Sequence, residues 1–85
     1  MWVRTQNKEK LLKVDFFELD ETRIYCNIAD NGGYNYVFLG QYSSEQKALK
    51  VLDWIQIHLL DLENSKNRTL PLNYYVFQMP QDSEV

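Results

Sequence analysis

The stretch Asp30–Lys47, DNGGYNYVFLGQYSSEQK, holds all three glycines of the chain and three of its six tyrosines, and it joins a hairpin to a helix. Asn31-Gly32-Gly33 supplies the positive φ angles of a tight turn, and Asn-Gly between two alternating runs is a strong hairpin signal. A strand follows from Tyr34 to about Tyr42, with Val37 and Leu39 on one face and Tyr34, Tyr36 and Phe38 on the other. Ser43 then opens a helix: its hydroxyl can cap, and Gln46 stands three residues on, at the capping-box spacing. Ala48, Val51, Leu52, Ile55, Leu59 and Leu62 form one apolar stripe at helical spacing, and neither glycine nor proline interrupts the run.

Working outward, Thr22–Ala29 alternates cleanly, with Ile24, Cys26 and Ile28 on one face and Arg23, Tyr25 and Asn27 on the other, the pattern of a half-buried antiparallel strand. From Leu11 to Leu19 the apolar phase slips between Phe16 and Phe17, which calls either for a β-bulge or for cover on both faces. Met1–Thr5 is a short strand. The polar run Glu63–Thr69 and then Pro71 stop the helix. Tyr74–Met79 is a last, aromatic strand, closed by Pro80. The order β-β-β-β-α-β gives an α+β fold, an antiparallel sheet of four to five strands with one helix packed on one face. Residues 1–80 make the single domain and the acidic tail 81–85 is expected to fray. The last strand either extends an edge or lies beside the first.

Composition removes several functions. A chain of 85 residues with 45% hydrophobic and 25% charged residues is globular. Its net charge of −3 disfavours double-stranded nucleic acid, which needs a basic surface. One cysteine and one histidine exclude an internal disulfide and a zinc site of the usual ligand set. The opening MWVRTQNKEK is polar, not a secretory leader, and no run reaches the ~20 apolar residues of a membrane span. Asn67-Arg68-Thr69 matches a glycosylation acceptor, but without secretion the match is fortuitous. A cytoplasmic protein with no cofactor, metal or membrane partner is expected, and its small core favours a homo-oligomer.

Two surfaces ask for a partner. One helix covers one sheet face, so either Tyr34, Tyr36 and Phe38 or Val37 and Leu39 point away from it. Tyrosines pair well across strands, which is one account; a stacking or subunit-contact surface is the other. On the helix, Trp54 and Ile57 fall opposite the core stripe. Either the Lys66–Leu72 loop folds back over them or they are an interface. His58 and Cys26 have ordinary core explanations. No nucleophile–base pair or phosphate loop is present, so no enzyme is expected.

The segments MWVRTQNKEKLLKV, LGQYSSEQKALKVLDWIQ and YYVFQMP resemble a group of short proteins of phages and prophages of Gram-positive (Firmicutes) bacteria, over most of the chain. A weaker similarity is to the phage anti-Thoeris sponges, which sequester cyclic ADP-ribose-type signals in pockets between subunits; none of their ligand residues is carried over to this sequence. The resemblance implies a phage-borne accessory protein, with anti-defence as one role. Two function classes stay open. The first is a binder of a small nucleotide-type ligand across a subunit contact, with Tyr34 and Tyr36 stacking and Arg4, Arg23 or Arg68 meeting phosphate. The second is a protein-interaction module, with a host protein among its partners, acting through Trp54 and Ile57 or an exposed sheet edge. The overall acidity leans toward the second.

Overall fold

The computed structural model describes residues 1–30, 32–65 and 69–85, with Asp30 and Leu72 described in the main chain only. The turn residue Asn31, the ligand role expected of Arg68, and the Lys66–Arg68 part of the loop expected over Trp54 lie outside those residues. The fold is α+β. Among the described residues its strands are β1 (Trp2–Arg4), β2 (Leu11–Lys13), β3 (Phe16–Asp20), β4 (Arg23–Asp30), β5 (Gly33–Gln41) and β6 (Val76–Gln78), and its one α-helix is α1 (Glu45–Asn64).

The strands form two three-stranded sheets, β2-β1-β6 and β3-β4-β5, in place of the single sheet expected. The phase slip between Phe16 and Phe17 has its cause here. Leu11–Leu19 is two strands, one in each sheet, and the chain crosses between them at the buried Val14, whose N–H donates to the Met1 carbonyl at 2.8 Å, and the exposed Asp15. A bulge does occur, in the β4–β5 pair. Ile24 faces Gly40 and Tyr25 faces Phe38, so Leu39 has no partner on β4, and its carbonyl accepts from the Gln6 N–H at 2.8 Å. The extra residue therefore ties the end of β5 to the other sheet. The last strand lies beside the first: β6 pairs with β1 in parallel, Val3 opposite Phe77.

The inner faces of both sheets and the helix enclose the core, in which Val3, Ile24, Cys26, Leu39, Val51 and Met79 are fully buried. The helix covers the Ile24–Cys26 face, so Tyr34, Tyr36 and Phe38 point outward. Its cap is Ser44, one residue past the expected Ser43: the Ser44 hydroxyl accepts from the Lys47 N–H at 3.2 Å. The Ser43 N–H instead donates to the Asp82 carboxylate at 2.7 Å. Of the expected stripe, Ala48, Val51 and Ile55 are buried but Leu59 is 41% exposed. The last turns lean on the flank of His58, which stacks on Tyr74, and of Asp61, which accepts from the Tyr74 hydroxyl, and this carries Leu59 off the core.

The tail expected to fray is folded. Gln81 and Glu84 cap one short 3-10 turn reciprocally. Asp82 meets the Ser43 N–H and Lys47, and Val85 packs against the core. The Tyr42 hydroxyl, on a buried side chain, donates to the Pro80 carbonyl at 2.9 Å.

Candidate functional site

The β1–β2 connection builds a basic cleft. The Thr5 N–H donates to the Lys10 carbonyl at 2.9 Å, and the Thr5 hydroxyl accepts from the Lys10 N–H at 3.2 Å. Asn7 Oδ1 accepts from the Glu9 N–H at 3.1 Å, the local turn bond that suits asparagine. Lys8 takes the left-handed conformation at φ 67°, and its carbonyl accepts from Arg4 Nε at 3.0 Å. Arg4, Lys8 and Lys10 thus gather at the rim of a cleft of about 510 Å³. Leu11 and Val76 give it an apolar wall, Asn73 and Gln78 add amides, and Glu9 is the one acid among the lining residues. Gln78 Nε2 donates to the Thr5 and Met79 carbonyls at 3.0 and 2.9 Å, which fixes the amide at the cleft wall. Strand alternation places Trp2, 44% exposed, on the same outer face as Arg4, between Lys13 and Val76.

The charge is segregated. Residues 1–13 hold four cations and one acid, a balance of +3, whereas the whole chain carries −3, so the remainder stands at −6. An acidic protein has a basic face, on the outer side of β2-β1-β6.

The outer face of β3-β4-β5 is aromatic instead. Phe16, Asn27 and Tyr36 form one row across it, and Glu18, Tyr25 and Phe38 the next. Tyr34 is 76% and Tyr36 64% exposed. Tyr25 and Phe38 meet edge to face, with ring centroids 5.8 Å apart. Asn27 Oδ1 is buried without a hydrogen-bond partner among the described residues. A smaller cleft of about 370 Å³ is lined by Glu18, Leu19, Asp20, Tyr25 and Tyr36, and its two carboxylates repel an anion.

The expected ligand residues therefore do not form one site. Arg4 belongs to the basic cleft. Arg23, Tyr34 and Tyr36 share the other sheet's outer face, but Arg23 pairs with Gln41 and Tyr34 with Ala29, at opposite ends of the hairpin. At ~3.3 Å per residue these ends lie roughly 20 Å apart, and Arg23 stands beside Asp20 in the register. The expected interface pair is also divided: Trp54 is half-buried, with Lys50 Nζ 5.7 Å from its ring centroid, while Ile57 is 56% exposed. Leu49 and Leu60, 47% and 55% exposed, extend the apolar flank beyond Ile57.

His58 and Cys26 are packing residues. His58 stacks on Tyr74 at 5.1 Å and meets Phe77 edge-on at 5.5 Å. Burial pushes its pKa down, opposed by the Asp61 charge and by a hydrogen bond to the Tyr74 main chain. Burial likewise pushes the Cys26 thiol up, away from a reactive thiolate. Sequence reasoning passed over Lys8, Lys10, Asn73 and Gln78. The cations were detectable as a charge excess in the first 13 residues, but the amides reach the cleft only because β6 returns beside β1.

Among the described residues, no group of three or more histidine, cysteine or acidic side chains could hold a metal ion, and no helix is long and apolar enough to cross a membrane. No protein family, no curated protein and no solved structure matches the chain.

Proposed function

We propose that this chain is a non-enzymatic binding protein that takes a small anionic ligand of nucleotide type in the Arg4–Lys8–Lys10 cleft. One observation carries this: three cations converge on a partly apolar concavity in a protein whose net charge is −3. A basic cleft on an acidic molecule favours an anion locally while the rest of the surface repels polyanions such as a duplex. Arg4 offers a fork for phosphate oxygens and the lysines add compact charges. The apolar wall and the Gln78 and Asn73 amides suit a base or sugar. Together with the likeness to phage proteins, this describes an accessory protein that acts in the cytoplasm of a bacterial host by sequestering a nucleotide-type signal. Calorimetric titration with mononucleotides and with inorganic phosphate tests it. Arg4→Ala and Lys10→Ala should each weaken nucleotide binding about tenfold, ~1.4 kcal/mol, and added salt should weaken it further. No binding at millimolar nucleotide, with no ultraviolet-absorbing ligand released on denaturation and filtration, would sink the idea.

A second function, capture of a host protein by the helix, is favoured by the exposed flank of Leu49, Ile57 and Leu60. Under it, Ile57→Lys removes partner binding and leaves nucleotide binding alone.

A further inference from the structure

The β5 edge is open from Tyr34 to Phe38, and Gln6 covers its end at Leu39 and Gln41. The hairpin register closes with Asp30 opposite Gly33. Two residues between closing partners make that pair a hydrogen-bonded one, and alternation then turns the N–H and C=O groups of Tyr34, Tyr36 and Phe38 away from β4. The far end agrees, since Gln41, in phase with them after the bulge, has both of its main-chain groups met from outside by the Gln6 side chain. Among the described residues, no strand besides β4 pairs with β5 and no main-chain hydrogen bond from outside the hairpin reaches Tyr34, Tyr36 or Phe38.

Soluble proteins blunt such edges with charge, proline or brevity. The other three edges are blunted. β2 and β6 have three residues each, and the β3 edge carries Glu18 and Asp20. β5 runs for nine residues, GYNYVFLGQ, without a charge or a proline. The same three residues whose main-chain groups are open expose their rings on the outer face, Tyr34 at 76%, Tyr36 at 64% and Phe38 at 46%.

We propose that two copies of this chain join through their β5 edges, antiparallel, about a two-fold axis at Tyr36. An antiparallel edge is complementary to itself, so a second copy satisfies it without any further feature. The uncharged run lets two molecules of net charge −3 approach at this edge. Tyr36 then lies opposite the partner's Tyr36, and Tyr34 opposite the partner's Phe38. About six main-chain hydrogen bonds form across the axis. The two sheets become one of six strands with a continuous aromatic outer face. The contact is small, which makes the dimer reversible and concentration-dependent. It does not involve the basic cleft and stands whether or not that cleft binds a nucleotide.

Sedimentation equilibrium should show a monomer passing to a dimer as concentration rises toward ~1 mM. Tyr36→Pro removes an outward N–H without touching the β4 ladder. Tyr36→Lys sets two like charges against each other at the axis. Both should remain monomeric with an unchanged circular dichroism spectrum, whereas Phe16→Lys, on the opposite edge, should dimerise normally. In the unaltered protein, amide exchange at Tyr34, Tyr36 and Phe38 should slow with concentration while that at Phe17 and Leu19 does not, which decides the matter even if a variant fails to fold. A constant monomer mass, a Tyr36→Lys dimer, or exchange indifferent to concentration would overturn the proposal.

Discussion

The Gln6 side chain stands in for a strand residue opposite Gln41: its Oε1 accepts the Gln41 N–H at 2.9 Å and its Nε2 donates to the Gln41 carbonyl at 3.0 Å. Nε2 also reaches the Pro80 carbonyl at 3.2 Å, and the Gln6 carbonyl accepts from Gln81 Nε2 at 2.7 Å. One side chain thus joins the β1–β2 turn, the end of β5 and the C-terminal segment. Gly40 makes room for it, since a Cβ there would lie 3.2 Å from Gln6 Cβ. Gln6→Ala should cost about 1–2 kcal/mol in urea unfolding, because these groups are partly solvated. Gln6→Glu should cost more, since a carboxylate accepts the N–H but faces two carbonyls without a proton to donate.

Gly32 sits at φ 87°, and a Cβ there would meet nothing within 4 Å. A substitution is therefore penalised by backbone conformation and not by crowding. Gly32→Val should lower stability by about 1–2 kcal/mol, and Gly32→Asn by clearly less, because asparagine tolerates the left-handed region. Equal melting temperatures for the two variants would remove this account.

Asp82 holds the C-terminal turn against the helix start. The Ser43 main-chain N–H, more than the Lys47 charge, keeps its carboxyl below the ordinary value of 3.8. A depressed carboxylate contributes stability above its unfolded pKa, and that contribution is lost as pH falls below 3.8 through the folded value. Melting temperatures measured down this range should fall less steeply for Asp82→Asn than for the unaltered chain.

His58 gives the same sign from a base. Its pKa is lowered from 6.5, first by burial, so folding favours the neutral ring. Stability is complete above 6.5 and declines as pH falls through that value toward the folded one, where the ring must charge between Tyr74 and Phe77. His58→Phe should abolish this slope while keeping the stacked packing. A slope that survives the substitution would assign it to another group.

Local signals named most elements. The Asn-Gly pair, the alternation of Ile24, Cys26 and Ile28, and the stripe of Ala48, Val51 and Ile55 were sufficient for a hairpin and a helix, because turn chemistry and side-chain periodicity are properties of neighbouring residues. The slip at Phe16–Phe17 was legible as an irregularity but not as a crossing between sheets, because periodicity reports which face a residue takes and not which strand it meets. Leu59 was misplaced for the same reason: the stripe assumes one contact direction along the helix, and Tyr74 supplies a second.

The candidate site divides in the same way. Four cations crowd the first 13 residues of an acidic chain and GYNYVFLGQ carries no charge, and both facts are legible along the chain. The folded chain alone shows that β6 returns parallel to β1 and brings Asn73, Val76 and Gln78 to those cations, and that among the described residues no second strand pairs with β5. Both outcomes depend on contacts between residues up to some seventy positions apart, such as Gln6 with Pro80 and Gln78 with Thr5. Such closures are selected by the burial and hydrogen bonding of the whole core, to which no local stretch of sequence has access.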